Sequence, residues 1–216
     1  MSRPPARRGA DLHACAQVLA AGGVAVVPTD TLYGLAASIA DAAAVARVLA
    51  IKTRPSSHGM PVLLASPEQA EYVGEAALYL RELGAAYWPG GVTLVIPALP
   101  AVPAGVCDAR RTVAVRVPGL ELTRELARQA GAPLTGTSAN RAGEPPPATV
   151  AQLHPAVGAA VDYILDGGRV GGRPSTIVDL TTSPPRVLRD GAVSLADLRR
   201  IVPGIVPLAL GDTPRL

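Results

Sequence analysis

The chain has 216 residues, of which 49% are hydrophobic and 17% charged, with a formal net charge of +3. This length and composition are typical of one globular domain, and no apolar run approaches the roughly 18 residues that a membrane helix needs. The mild positive charge suits an anionic ligand but is too weak to identify nucleic acid as the partner.

Helix and strand patterns alternate along the chain in a mixed order. The spacing of apolar residues and of Gly and Pro predicts helices over 10–23, 41–52, 66–74, 75–87, 120–130 and 194–202. It predicts strands over 24–28, 61–65, 92–98, 112–118, 133–140, 161–168, 175–180 and 185–189. Since some strands follow one another directly and others are separated by helices, we predict an α/β fold with a twisted, mixed open sheet and flanking helices.

The two ends of the chain differ in composition from the middle. The first residues are rich in Pro and Arg, which predicts a disordered start over 1–9, and residues 203–216 are expected to form a tail. Residues 10–202 then form the single domain. The start contains no secretory signal, and Cys15 and Cys107 lack a CxxC spacing, so we expect reduced structural thiols in a cytoplasmic protein.

Several familiar kinds of site are excluded by the sequence. It contains no GxxxxGK[ST] phosphate loop, and "TGTSAN" is not a GxSxG nucleophile elbow. His13, His58 and His154 are isolated from one another and lack the paired spacing of a zinc site. We therefore expect no protein-bound metal and no catalytic triad.

The cations indicate a different kind of site. Lys52 is the only lysine among 20 Lys and Arg residues, and it lies two residues before Arg54 at a helix end that Pro55 terminates. In extended backbone both side chains would point to the same side and converge on a polyanion, although a solvated helix end would look the same. Arg116 lies within an apolar strand, so it needs either a structural carboxylate partner or an anionic ligand.

Hydroxyl and amide groups gather in the loops that follow predicted strands. "TSAN" (137–140) and "PST" (174–176) lie beside turns rich in Gly and Pro, and Arg189 ends a predicted strand. Each feature alone is also common turn or surface chemistry. Their shared position at strand ends is where open α/β sheets place ligands.

As an ordered set, these stretches resemble the YrdC/Sua5 family, whose founding activity is threonylcarbamoyl-AMP synthase. The resemblance covers residues 10–200 through PTDTLYGL (28–35), KTR with Pro55 (52–55), WPGGVT (88–93), TVAVRVP (112–118), TSAN with Gly143 (137–143), PSTIVD (174–179) and LRDG (188–191). It implies a YrdC/RibB-like fold in the short, single-domain form of the family.

The resemblance also implies a reaction and its partners. The reaction converts ATP, L-threonine and bicarbonate into threonylcarbamoyl-AMP and pyrophosphate, with Mg²⁺ carried by the ATP phosphates. The product would pass to the transferase complex that makes t6A in tRNAs reading ANN codons. Weak contact with tRNA or other double-stranded RNA would be compatible with the family, and no membrane would be involved.

The same resemblance implies two groups of site residues. Threonine is assigned to Thr31, Arg116, Gly136 and Ser175. The nucleotide is assigned to Lys52, Arg54, His58, Thr112, Ser138, Asn140 and Arg189, with Lys52 and Arg54 also given the catalytic role. Pro28 and Tyr33 are expected to shape the pocket.

The chain departs from the family pattern at two places, and two other functions remain open. His58 and Gly59 stand where the family often has a basic residue followed by proline or glycine, and Ala142 replaces a serine. One alternative is a carbamoyl-adenylate domain like that of hydrogenase maturation proteins, and the other is a double-stranded RNA binding module. RNA binding would weaken steeply with salt, whereas a nucleotide pocket would be saturable.

Overall fold

The computed structural model describes residues 5–53, 59–141 and 143–207. Their α-helices are α1 Leu12–Ala20, α2 Ala42–Lys52, α3 Leu80–Tyr87, α4 Glu121–Gln129, α5 Pro155–Ala160 and α6 Leu195–Arg199. Their strands are β1 Arg7–Gly9, β2 Ala25–Val27, β3 Gly34–Ala36, β4 Val62–Leu63, β5 Val92–Pro97, β6 Thr112–Arg116, β7 Leu134–Thr135, β8 Thr137–Ser138, β9 Tyr163–Leu165, β10 Thr176–Asp179 and β11 Arg186–Arg189. Pro67–Tyr72 and Val150–Gln152 form 3₁₀ turns.

The described strands form two mixed sheets. The first has the order β1-β9-β2-β3-β8, and the second has the order β11-β10-β5-β6-β4-β7. In the first sheet β2 pairs antiparallel with β3 and parallel with β9, and in the second β5 pairs antiparallel with β6 and parallel with β10. The predicted α/β class and mixed pairing are confirmed, while the strands divide between two sheets instead of forming one.

The chain passes from one sheet to the other at Gly136. Strand β7 ends at Thr135 in the second sheet, and β8 begins at Thr137 in the first. A side chain at position 136 would place its Cβ 2.6 Å from Cγ of Leu63, which is closer than packed atoms approach. A larger residue at this crossover would displace the Leu63 side chain, which glycine avoids, and the two sheets meet beside it.

The core lies on both faces of the strands. Val26 of β2 belongs to the larger apolar cluster with residues of α2, whereas its neighbours Ala25 and Val27 face a second cluster with residues of α1 and α4. Alternate strand residues point to opposite faces, so a strand buried on both must be apolar throughout. This explains the uninterrupted apolar runs 25–27, 94–96 and 113–115 within β2, β5 and β6.

Some segments differ from the expectation from sequence. Arg7–Gly9, expected to be disordered, pairs in parallel with β9, and Arg8 forms a 2.9 Å ion pair with Asp166. At the other end, the amide of Val187 donates to the carbonyl of Val206, which places the start of the tail against β11. Residues 1–4 and 208–216 lie outside the described residues.

No helix in the part of the chain that the structure describes is long and apolar enough to cross a bilayer.

The two cysteines are expected to be unreactive in the folded protein. Burial raises the pKa of Cys15 from 9.0 to about 12, and burial also raises the pKa of Cys107. Iodoacetamide at pH 8 should therefore label neither thiol in native protein and both after unfolding, as intact-mass spectrometry would measure. The pKa of Cys15 is higher in the folded protein than in the unfolded chain. The stability contributed by burying the neutral thiol is therefore complete below about pH 9, and it is lost as the pH rises towards 12. Rapid labelling of native protein would contradict this assignment.

Candidate active site

The loop between β2 and β3 is held in a tight turn by Thr29. The Thr29 hydroxyl donates to the Leu32 carbonyl at 2.6 Å and accepts from the amides of Thr31 and Leu32 at 3.2 Å each. The Thr31 hydroxyl lies 3.0 Å from that of Thr29 and lines the cavity described below. Thr29 therefore builds the turn that presents Thr31.

Tyr33 fixes the same loop to a glycine-rich segment. Its hydroxyl donates to the Gly168 carbonyl at 2.7 Å and accepts from the Gly167 amide at 3.1 Å. The ring is buried, and burial raises the pKa of the phenol, so the hydroxyl stays protonated as this donor role requires. Tyr33 thus lines the cavity and ties its loop to residues 167–168, in agreement with the expectation that it shapes the pocket.

Lys52 is the last residue of α2, and its ammonium is held in place. Helix α2 begins at the Asp41 cap and ends where Thr53 adopts left-handed backbone, with φ of 49°. The Lys52 Nζ donates to the Ser138 carbonyl at 2.9 Å and to the Asn140 carbonyl and Oδ1 at 2.8 Å each. The side chain is buried, and it ties the end of α2 to the segment that follows β8.

This geometry corrects the expected backbone at Lys52 and shows how its charge is held. Lys52 is helical and Thr53 left-handed, so the extended backbone proposed for Lys52 and Arg54 does not exist at its first two residues. The ammonium, anchored by oxygens of two residues, is not free to follow a moving phosphate. Lys52 instead supplies a fixed positive charge.

Arg116, at the end of β6, has a carboxylate partner in Asp30 of the β2–β3 loop. Its Nη2 donates to Asp30 Oδ2, and its Nε donates to the Gly90 carbonyl at 2.8 Å. The Arg116 side chain is 7% exposed, and Nη1 has no partner among the described residues. Burial lowers the Arg116 pKa, while the charge of Asp30 opposes that shift. Arg116 therefore has the structural carboxylate partner that one of the two readings required, and its side chain also lines the cavity.

Arg189, at the end of β11, contacts Ser175 and no carboxylate in the described part of the chain. Its Nε and Nη2 donate to the Ser175 carbonyl at 3.1 and 3.0 Å, and Nη2 also donates to Ser175 Oγ at 2.9 Å. Burial is the main cause that lowers the pKa of Arg189, and the nearby positive charge of Arg116 lowers it further. The site thus contains two guanidinium groups, and only that of Arg116 is paired with a carboxylate among the described residues. This excess of positive charge favours an anionic ligand.

These side chains surround one cavity of about 290 Å³, near the lower limit of small-molecule sites. Its walls come from both sheets, the end of α2 and the loops between them. The lining residues are Thr29, Thr31, Leu32, Tyr33, Gly34, Lys52, Pro61, Leu63, Thr93, Arg116, Gly136, Thr137, Ser138, Pro146, Pro174, Ser175, Ile177 and Arg189.

The cavity brings together most of the site residues expected from the sequence. Those that line it are Thr31, Lys52, Arg116, Gly136, Ser138, Ser175 and Arg189. Asn140 does not line the cavity, but it accepts a hydrogen bond from Lys52, which does. Thr112 lies at the opposite end of β6 from Arg116, about 13 Å along the strand. Arg54 and His58 lie outside the described residues, as does Ala142.

Three polar residues at this site carry no role in the sequence interpretation. Thr29 builds the turn, Asp30 pairs with Arg116, and Thr93 of β5 lies 2.8 Å from Ser175 Oγ through its own hydroxyl. All three belong to the quoted PTDTLYGL or WPGGVT stretches, so membership in a motif was the signal that could have identified them.

The described residues contain no group of three His, Cys, Asp or Glu side chains placed to hold a metal ion. Asp30, the carboxylate that pairs with the cavity-lining Arg116, already accepts from its guanidinium. The lining donors are ammonium, guanidinium and hydroxyl groups, which bind phosphate oxygens rather than Mg²⁺.

Comparison with known proteins identifies the family of this chain. The family profile Sua5_yciO_yrdC, described as "Telomere recombination", matches residues 17–191. The chain is 36% identical to a putative threonylcarbamoyl-AMP synthase of Mycobacterium tuberculosis over 92% of both chains. It is 38% identical to the threonylcarbamoyl-AMP synthase of Xanthomonas campestris over 83% of this chain and 97% of that one. The chain belongs to the Sua5/YciO/YrdC family, as predicted.

Solved structures extend the comparison. The crystal structure of Pyrococcus abyssi Sua5 complexed with L-threonine superposes with a TM-score of 0.83 at 31% identity, covering 94% of this chain and 62% of that chain. Over the whole sequence of the P. abyssi threonylcarbamoyl-AMP synthase, the present chain spans about half of the length, 54%. Escherichia coli YciO, at 24% identity and a TM-score of 0.75, shares the fold.

Proposed function

We propose that the protein is an L-threonylcarbamoyladenylate synthase, which makes threonylcarbamoyl-AMP and pyrophosphate from ATP, L-threonine and bicarbonate. The observation that carries this proposal is the cavity in which Thr31, Arg116 and Ser175 meet Lys52 and Arg189. It occurs in a chain whose relatives bear the name threonylcarbamoyl-AMP synthase and whose structural neighbour was crystallised with L-threonine.

The chemistry needs alignment of anions more than it needs a protein nucleophile. The threonine amine forms a bond to the carbon of CO₂ derived from bicarbonate and loses a proton, giving a carbamate. A carbamate oxygen then attacks the α-phosphorus of ATP, and the bond to pyrophosphate breaks. Holding both reactants in line accounts for about 7 kcal/mol or more of the barrier. A cavity lined by cations and hydroxyl groups suits this reaction.

The charges divide between two proposed subsites. Arg116 would bind the threonine carboxylate, since Nη1 is unpaired among the described residues and a guanidinium matches two carboxylate oxygens. Thr31, Gly136 and Ser175 would complete this subsite.

The nucleotide subsite would contain Lys52, Ser138, Asn140 and Arg189, in which Lys52 and Arg189 neutralise charge on the phosphates. Mg²⁺ bound to the phosphates would neutralise further charge. We propose that Arg54, His58 and Thr112 also bind the nucleotide, and of these Thr112 is described by the structure and does not line the cavity. The amides of Met60 and Asp108 donate to the Val106 and Thr112 carbonyls, which joins Thr112 to the segment that follows 54–58.

The product determines the expected partners. Threonylcarbamoyl-AMP is a mixed anhydride, so it must be consumed by a transferase, which we propose to be the complex that forms t6A in tRNA. We place this reaction in the cytoplasm, where free thiols such as Cys15 and Cys107 persist. Direct contact with tRNA would be weak at this net charge.

The test is an assay of pyrophosphate release by purified protein with Mg²⁺ and combinations of the three substrates. Release should require ATP, L-threonine and bicarbonate together, and mass spectrometry should detect threonylcarbamoyl-AMP. Carbamoyl phosphate in place of threonine and bicarbonate serves as the control for a carbamoyl-adenylate domain. Release that is unchanged without threonine, or that is supported by carbamoyl phosphate, would show that the proposal is wrong.

A further inference from the structure

Thr93 is a buried hydroxyl in the cavity that has no role in the reaction proposed above. It is placed by the parallel pairing of β5 with β10, in which Val92 lies opposite Thr176 and Thr93 opposite Ile177. This register brings Thr93 Oγ1 to 2.8 Å from Ser175 Oγ, with both side chains lining the cavity and both residues less than 5% exposed.

The hydrogen bonds of Ser175 limit what its hydroxyl can do. A serine hydroxyl donates one hydrogen bond and accepts two. Arg189 Nη2 donates to Ser175 Oγ at 2.9 Å and occupies one of the acceptor positions. One proton and one acceptor position remain for Thr93 and for a bound molecule.

Electrostatics favours one direction for the Thr93–Ser175 bond. If Thr93 donates, Ser175 Oγ accepts from both Thr93 and Arg189, and its own proton is left for a ligand. Accepting two hydrogen bonds polarises a hydroxyl and strengthens it as a donor. When an anion occupies the cavity lined by Arg116 and Arg189, this arrangement directs the polarised Ser175 proton to the anion as a hydrogen bond.

We propose that Thr93 is a positioning residue that donates to Ser175 Oγ and thereby directs the Ser175 hydroxyl proton to an oxygen of the amino-acid substrate. This inference rests on the proposed function, because it concerns the amino-acid subsite of the same cavity. Thr93 acts through Ser175 and does not contact the substrate itself.

The test compares Thr93→Val, which keeps the shape and removes the hydroxyl, with Thr93→Ser, which keeps the hydroxyl. Thr93→Val should raise the KM for threonine roughly fivefold to tenfold, the loss expected for one buried hydrogen bond, and should leave the KM for ATP unchanged. Thr93→Ser should restore the KM for threonine. Calorimetry with L-threonine should show the same order of affinities.

Two further variants separate positioning from a general structural effect. In a Ser175→Ala background, Thr93→Val should add nothing, because the group through which it acts is gone. Thr123→Val is the matched control: Thr123 is buried in α4 and donates to the Pro28 carbonyl at 2.8 Å without lining the cavity. It should lower thermal stability without changing the ratio of the two KM values.

The outcomes separate this inference from the proposed function. If wild-type protein uses threonine and Thr93→Val matches it, or if Thr93→Val raises both KM values equally, the inference is wrong and the proposed function stands. Additive effects of Thr93→Val and Ser175→Ala would also overturn it. If wild-type protein neither binds nor consumes threonine, the proposed function and the inference both fail.

Discussion

Replacing Lys52 with methionine is expected to slow pyrophosphate release by roughly a hundredfold to a thousandfold, the loss typical of removing one preorganised charge from an active site. Methionine keeps the length and the apolar stem but has no ammonium. The carbonyls of Ser138 and Asn140 would lose their donor, and the segment after β8 would lose its tie to α2. Steady-state kinetics with all three substrates would measure the effect.

Lys52→Arg separates the charge from the shape of the ammonium. Arginine retains the charge, yet its planar fork cannot reproduce the three short contacts of Nζ with Ser138 and Asn140 in a buried space. We therefore expect Lys52→Arg to be impaired as well, though less than Lys52→Met.

Arg47→Met, on the same helix, is the control. Arg47 is half-exposed and pairs with Asp162 at 2.8 Å, and it does not line the cavity, so this variant should keep its turnover. Normal rates from folded Lys52→Met would contradict the role of Lys52.

The strands buried on both faces were the easiest part of the fold to predict. Apolar runs within β2, β5 and β6 indicate these strands directly, and the helix predicted over 41–52 agrees with α2, which Asp41 caps. Strand β3, Gly34–Ala36, was missed because three small or apolar residues after a polar loop carry no period. Helix α5, Pro155–Ala160, was missed because proline and glycine within six residues argue against a helix, although proline is accepted in its first turn.

Long-range pairing explains the other differences. Arg7–Gly9 was expected to be disordered from its composition, but the edge of β9 and the carboxylate of Asp166 hold it. Residues 66–74 read as helical, and the structure forms a 3₁₀ turn over Pro67–Tyr72 instead. Local propensity is a weak signal that tertiary contacts override.

The candidate site was predictable as a set of residues but not as a set of contacts. Seven of the residues assigned through the ordered motifs line the cavity, and the family membership on which those assignments depended is confirmed. The partner of Arg116 could not be found, because Asp30 lies 86 positions away in sequence and only the meeting of the two sheets joins them. The fixed position of Lys52 was missed for the same reason, since its acceptors follow β8.

Arg116→Ala is expected to raise the KM for threonine by roughly a hundredfold, the loss typical of truncating one partner of a buried charge pair, with a much smaller change in the KM for ATP. The guanidinium is the group proposed to bind the threonine carboxylate, and its removal also leaves the half-buried carboxylate of Asp30 without its cation. Kinetics with each substrate varied in turn would measure both constants. A larger change for ATP than for threonine would mean that the two subsites are assigned in the wrong order.

Asp30→Asn tests how the carboxylate acts on Arg116. The variant removes the negative charge that holds Nη2, so the guanidinium loses its orientation and the KM for threonine should rise, though less than in Arg116→Ala. At the same time the cavity gains one net positive charge beside Arg189, so inhibition by an unspecific anion such as sulfate should become stronger. Asp179→Asn is the control, because Asp179 also pairs with an arginine, Arg110, but lies at the far end of β10 from Ser175 and does not line the cavity. Weaker threonine use without stronger sulfate inhibition would mean that Asp30 only supports the loop, whereas both changes together require that it sets the charge and direction of Arg116.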